Sequence, residues 1–221
     1  MPIMRCPWLR VAPLALLLAL GCEEVPRTFS TTSDGARVLY TDDFDRPVLG
    51  EAWLATGIGA VLDKGSLHLS GLRNQPVWLR MDLPDDVRVE FDAWAETEEG
   101  DIKVELAGDG HSKASSVSYV ATGYVFVFGG WSNSLHTIAR LDEHGDDRVA
   151  KPAEPQVEAD KRYHFVITRR GNELRWEVDG ALIAEYVDEQ PLRGEGHQHF
   201  AFNNWEAPTR FDNLVIYALE D

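Results

Sequence analysis

Two short stretches hold the side chains best suited to chemistry. Gly123 to His144 reads GYVFVFGGWSNSLHTIARLDEH, and its second half crowds together Trp131, Asn133, His136, Arg140, Glu143 and His144. His197 to Trp205 reads HQHFAFNNW and adds His197, His199, Asn203 and Trp205. An indole ring covers the apolar face of a pyranose, while amide, imidazole and guanidinium groups hydrogen-bond its hydroxyls, so this set suits a sugar. Glu143 and His144 are also the acid/base candidates should a glycosidic bond be cleaved there. The same residues have a plain reading, with the tryptophans in a core, the asparagines capping turns and Arg140 paired with Glu143 as scaffold.

Other constellations point less far. His197 and His199 would share one strand face, but a zinc site needs a third ligand, and only Glu195 is close. Val87 to Glu96 reads VRVEFDAWAE, which places Arg88, Glu90, Asp92, Trp94 and Glu96 on one face of a strand. The chain contains no Gly-x-Ser-x-Gly elbow, Walker loop, dinucleotide fingerprint or His-Glu-x-x-His.

The elements that must position these residues are strands. Tyr124, Phe126 and Phe128 alternate with Val125 and Val127, the pattern of a strand covered on both faces, and it stops at Gly129-Gly130, where missing side chains permit a close approach. Phe200-Ala201-Phe202 runs into Asn203-Asn204-Trp205 in the same order, core strand first and polar groups after. The two strand ends are therefore expected to be neighbours. With Phe200 and Phe202 pointing inward, His197, His199, Asn203 and Trp205 point outward.

Period two holds along most of the chain, in runs split by Gly, Pro and Asp turns. It predicts strands at Val38–Phe44, Ala60–Asp63, Ser66–Leu69, Val77–Asp82, Val87–Ala95, Ile102–Leu106, Val117–Ala121 and Tyr124–Phe128. Further strands follow at Ile138–Leu141, Tyr163–Arg169, Glu173–Val178, Ala181–Tyr186, His197–Asn203 and Phe211–Leu219. Asp179-Gly180 between alternating runs marks a two-residue hairpin, with Leu174, Trp176 and Val178 on one face. Helices are expected to be single turns at most. So many short strands imply an all-β sandwich or barrel.

Composition narrows the partners. The 221 residues carry a formal charge of −16, so the clustered cations that nucleic acid or an anionic membrane surface would need are missing. Both cysteines, Cys6 and Cys22, fall at the start, leaving the domain without an internal disulfide. Arg5 and Arg10 flank a basic leading stretch, and Val11 to Leu20 after it is an apolar run, the form of an export signal over residues 1–21 and too short to span a bilayer. Leu18-Ala19-Leu20-Gly21-Cys22 resembles a bacterial lipobox, which implies cleavage before Cys22 and lipidation of its thiol. Ordinary secretion is the alternative, because Ala19 and Gly21 also form a small-x-small cleavage site. Residues 22–37 read as a lipidated tether and 38–221 as the domain.

Several short motifs then converge on a family. Asp42-Asp43-Phe44-Asp45, Asp63-Lys64-Gly65-Ser66-Leu67, Trp176-Glu177-Val178-Asp179-Gly180 and Phe211-Asp212-Asn213-Leu214-Val215-Ile216-Tyr217 together resemble concanavalin A-like lectin/glucanase domains. More narrowly they resemble the 3-keto-disaccharide hydrolase domain of exported bacterial proteins. The resemblance implies a two-sheet antiparallel jelly-roll sandwich with glycan sites on the concave sheet. It also implies a structural calcium at Asp212, with Asp43 as a helper, although Asp212 could equally hold a turn. Laminarinase-type glucanases flank an aspartate with two catalytic glutamates, and Glu90-x-Asp92 invites that comparison. The next glutamate, Glu96, is six residues from Glu90, roughly 20 Å along a strand, against the ~5 Å between carboxyls that a retaining glycosidase holds. A solvated or groove-lining face is expected instead.

The expected protein is a monomeric, surface-anchored lipoprotein of the bacterial envelope, periplasmic or on the outer membrane, holding a glycan without a required cofactor. A glycoside-cleaving enzyme, acting on oligosaccharides or 3-keto-glycosides, is the alternative. A structural or adhesion module is the third.

Overall fold

The computed structural model describes residues 36–115 and 119–220. The export segment, Cys22 and most of the tether lie outside the described residues, as does part of the strand expected at Val117–Ala121. Two antiparallel sheets account for the described chain.

The first sheet holds β1 (Arg37–Asp42), β3 (Ala60–Asp63), β4 (Ser66–Leu69), β6 (Val87–Ala95), β11 (Tyr163–Arg170), β12 (Glu173–Val178), β13 (Ala181–Val187) and β15 (Thr209–Ala218). Its order is β13-β12-β11-β6-β15-β4-β3, with β1 also paired to β15. The second sheet holds β2 (Trp53–Ala55), β5 (Val77–Leu79), β7 (Ile102–Gly108), β8 (Tyr124–Gly129), β9 (Leu135–Arg140), β10 (Arg148–Pro152) and β14 (His199–Asn203). Its order is β10-β9-β8-β7-β14-β5-β2. The first and last strands pair, Arg37 opposite Ala218, and close the domain on itself.

Side-chain alternation builds the core between the sheets. Val89, Phe91 and Ala93 of β6 face Val104, Phe126, Phe200 and Phe202 of the second sheet, all buried. Phe91 stacks on Phe165 at 4.9 Å within its own sheet and meets Phe202 edge-on at 5.5 Å across the gap. Trp176 sits against Phe126 and Phe128, so the hairpin face of Leu174, Trp176 and Val178 is core.

Strand boundaries depart from the apolar pattern where local hydrogen bonds end the ladder. The run expected to Phe44 stops at Asp42, whose carboxylate accepts the Phe44 amide at 2.9 Å and turns the chain into positive φ. β9 starts at Leu135 and ends at Arg140, before Leu141 at φ 65°. Residues 119–121 are loop rather than strand. Two strands were not foreshadowed. β2 is only three residues long, and β10 is an edge strand whose exposed RVAKP shows no alternation.

The Asp179-Gly180 hairpin has φ 50° and 76° at its two central residues, as a two-residue turn between twisted strands requires. Replacing Gly180 by Val should lower folding stability by about 1–3 kcal/mol, because a β-branched residue resists positive φ. Urea unfolding of the variant checks this, and an unchanged midpoint would contradict it.

Candidate functional site

The outward face of the second sheet holds the site. On β7, Ile102, Val104 and Leu106 point into the core, so Lys103 and Glu105 point outward, with Asp101 just ahead of them. Register places Asn203 of β14 beside Lys103 and Val127 of β8 on its other side. β8 and β14, both antiparallel to β7, run the same way, and their C-terminal ends flank the start of β7. The expected neighbours are thus one strand apart, roughly 10 Å, and the strand between them carries the charge.

Loops then cover that face and leave a cleft of about 710 Å³, lined by Asn74, Asp101, Lys103, Tyr119, Trp131, Glu143, His144 and Trp205 among others. Lys103 is almost fully buried, and its Nζ lies 2.8 Å from Glu143 Oε2 and 3.1 Å from Asn74 Oδ1. Glu105 has no exposed surface and accepts hydrogen bonds from Asn203 Nδ2 at 2.8 Å and Tyr119 Oη at 3.0 Å. Asp101 Oδ2 accepts the Trp205 amide at 2.8 Å, which seats that carboxyl at the foot of the indole.

Trp131 stands on the opposite wall through unusual backbone. Gly129 opens a turn in which Trp131, Ser132 and Asn133 all have left-handed φ, between 51° and 58°. A side chain on Gly129 would lie 2.5 Å from Val157 Cγ2, so the turn needs glycine for space as well as for φ. The Asn133 side chain locks the turn, donating to Glu98 and Val157 carbonyls and accepting the Val157 amide at 2.9 Å. The Trp131 ring meets His144 edge-on at 5.4 Å, and the Arg148 guanidinium lies 5.3 Å from its centre.

Burial sets the electrostatics. It opposes the Lys103 charge, but the carboxylates of Asp101, Glu143 and Glu105 outweigh it and hold the ammonium above its usual pKa. Burial pushes Asp101 up despite the pull of Lys103 and the Trp205 amide. Glu105 is pushed up to about 7, again by burial, with Tyr119, Asn203 and Lys103 pulling the other way. The floor therefore sets carboxyl groups of raised pKa beside a fixed cation, an arrangement able to donate or accept a proton.

Several expected ligands serve elsewhere. Asn133 is the lock just described. Arg140 turns from the cleft, with Nε 3.0 Å from Asp188 and Nη2 donating to the Gln190 carbonyl. His197 and His199 bond the carbonyls of Ala107 and Leu79, and Glu195 joins no metal-type cluster among the described residues. His136 is buried against Phe128 at 4.2 Å, and desolvation lowers its pKa to about 4.

The calcium expectation does not fit the donors. Asp212 accepts from Arg162 on Oδ2 at 3.0 Å and from the Asn213 amide on Oδ1, while exposed Asp43 accepts the Asp45 amide. A carboxylate already neutralised by a guanidinium makes a poor cation ligand. Asp92, with Glu90, lies on the other sheet and bonds His164 and Asn213, so that face is scaffold.

The same two-sheet architecture recurs in solved structures. A carbohydrate-binding module, CBM66 from Bacillus subtilis, superposes with a TM-score of 0.58 at 12% identity, covering 78% of this chain and all of that one. The laminarinase catalytic domain of Thermotoga maritima gives 0.57 at 12%, covering 84% and 99%, and a β-1,3-1,4-glucanase from a mouse hindgut metagenome gives 0.58 at 13%, covering 81% and 98%. The fold is a concanavalin A-like jelly roll. No protein-family model matches the sequence, and no curated protein matches it.

Within this jelly roll the residues that sequence reasoning missed are Asn74, Asp101, Lys103, Glu105 and Tyr119. One signal was present: IKVELAG places Lys and Glu at alternate positions of an otherwise apolar strand, as charge on one face of a central strand does.

The raised pKa of Glu105 has a sign that can be measured. Between its ordinary value of 4.5 and about 7 the folded state holds a proton that the unfolded chain has lost. Its contribution to stability is therefore full below ~4.5 and is lost as pH rises to ~7. In Glu105→Gln that loss should vanish, so the variant gains on the wild type by an amount on the order of 3 kcal/mol across the window. Urea unfolding at several pH values would show it, and parallel curves would refute it.

Proposed function

We propose that this protein binds carbohydrate in the cleft between Trp131 and Trp205. The observation that carries this is the placing of two partly exposed indoles on one cleft, over a floor of polar groups. Trp205 is 37% exposed, and Trp131 is half-buried, packed on the small apolar cluster of Ala121, Val125 and Val127 with its remaining surface lining the cleft. Asn74, Lys103 and Tyr119 supply polar groups at the depth a sugar hydroxyl would reach. The likeness to a carbohydrate-binding module and to glucanase domains supports the reading at the level of fold.

A second reading, cleavage of a glycosidic bond, is favoured by one feature a binding module does not require. Asp101 and Glu143 both line the cleft around buried Lys103, and Asp101 is held toward its protonated form. His144, 3.6 Å from Glu143, would assist from the rim. Oligosaccharides and 3-keto-glycosides are the substrates to try, and turnover of either distinguishes this reading from binding alone.

We also propose that the mature chain is anchored in the bacterial envelope through a lipidated Cys22. Stable anchoring takes two acyl signals, which a lipobox cysteine would provide. Cys22→Ala should leave the protein soluble or unprocessed. Mass spectrometry finding an unmodified Cys22 at a free amino terminus would refute the anchor.

The binding site is tested by truncating its walls. Trp131→Ala and Trp205→Ala should each weaken glycan affinity by roughly tenfold to a hundredfold, the worth of ~1–3 kcal/mol of apolar contact, while stability moves little. Trp176→Ala, in the core, should instead cost about 3–5 kcal/mol of folding stability. Glycan titration and thermal unfolding of the three variants separate the cases. A large fall in melting temperature for both wall variants, without selective loss of binding, would sink the proposal.

A further inference from the structure

We propose that the cleft selects a sugar carrying a free amino group, a hexosamine unit bound as its ammonium, and turns away uronic and sulfated sugars. This rests on the carbohydrate reading above and names the class of sugar.

The argument starts from which charges remain once the protein's own pairs cancel. Lys103 is matched by Glu143 at 2.8 Å, and Glu206 on the rim by Arg73 at 2.7 Å. Asp101, Glu99 and Asp142 also line the cleft; Asp101 shares the Lys103 ammonium with Glu143, while Glu99 and Asp142 have no ion-pair partner among the described residues. A carboxylate ligand would enter against this surplus, and an ammonium would be drawn by it. The formal charge of −16 on the whole chain adds the same bias at longer range.

Asp101 gives the ammonium a specific seat. Its Oδ2 is occupied by the Trp205 amide, but Oδ1 has no hydrogen-bond partner among the described residues. That carboxyl is buried deeply enough for desolvation to raise its pKa, so a donor with positive charge would gain more there than at an open surface. The hydrogen bond from the Trp205 amide fixes the carboxyl at the backbone of the residue whose indole would carry the sugar ring. Asp101 lines the cleft together with Trp205 and Trp131, so a substituent on a sugar held there comes within its reach. The site already shows the pairing in miniature, since the Lys103 ammonium sits against Glu143 in the same cleft.

Calorimetric titration of the mature chain with three tetrasaccharides tests the assignment: a glucosamine tetramer with its amines charged, the N-acetylglucosamine tetramer and the galacturonic acid tetramer. The glucosamine tetramer should bind at least ~10-fold tighter than its acetylated form, the effect of one buried charge pair, and the galacturonate not measurably. Asp101→Asn should shrink the difference to within ~3-fold, and Trp131→Ala should weaken both hexosamine ligands together. If Asp101→Asn does not fold, the double variant Glu99→Gln with Asp142→Asn should lower the amine preference in the same direction. Equal or tighter binding of the acetylated or acidic tetramer overturns the assignment while leaving carbohydrate binding intact. Binding of the amine that ignores both Asp101→Asn and Trp131→Ala means diffuse attraction to an acidic protein and overturns it too. Failure of these and of a wider neutral glycan panel to bind would defeat the carbohydrate reading itself, and this inference with it.

Discussion

The buried ammonium of Lys103 is the constraint on which the site depends. A cation taken out of water must be matched closely or it destabilises the fold, and here its partners come from separate parts of the chain. Glu143 arrives from the loop after β9 and Asn74 from the segment before β5, while Asn203 on the adjacent strand ties Asn74 to Glu105. One charge thereby fixes the relative placement of two loops and a strand. With three carboxyl groups around a single cation, the cluster also carries more acid than one ammonium matches, and burial pushes Asp101 and Glu105 up from their ordinary pKa values.

The second constraint is the left-handed turn that carries Trp131. Three successive residues with side chains at positive φ cost on the order of 1–2 kcal/mol each, and such a conformation persists only when its surroundings determine it. Asn133 provides that determination through its three bonds to Glu98 and Val157, helped by the Ser134 amide on the Gly130 carbonyl at 2.9 Å. The residue that looked like a sugar ligand is what holds the aromatic wall in place over Ala121, Val125 and Val127. An ordinary hairpin between β8 and β9 would need no such device, so the strain is spent on presenting the indole.

Much of the architecture was legible because alternation is a local signal. β3, β4, β6 and β12 fall on the residues their apolar period marks, and Asp179-Gly180 closes its hairpin as the dipeptide requires. Trp131, Trp205, Glu143 and His144 were recognisable as groups gathered at strand ends, and all four line the cleft. Arg140, His197 and His199 were not distinguishable from them, because each spends its polar atoms on a carbonyl or an acid whose position depends on tertiary folding. The central strand escaped notice as part of the site for a topological reason. Two strands that end alike were expected to be adjacent, whereas sheet order inserts β7 between them.

The contrast between β6 and β7 shows why alternating charge alone does not mark a site. β6 displays Arg88, Glu90, Asp92, Trp94 and Glu96 outward, a richer set than the Asp101, Lys103 and Glu105 of β7. On β6 those groups stay half-exposed and answer one another or neighbouring strands, Arg88 with Glu90 at 2.7 Å and Asp92 with His164 at 2.9 Å. Water screens such pairs, and they add little beyond solubility. On β7 the loops through Tyr119 and Glu143 exclude water, and the same kinds of side chain acquire raised pKa values and a fixed geometry. The difference lies in what covers each sheet. Coverage comes from loops that have no period, so the face able to do chemistry emerges only once the strands are stacked and the loops have chosen a side.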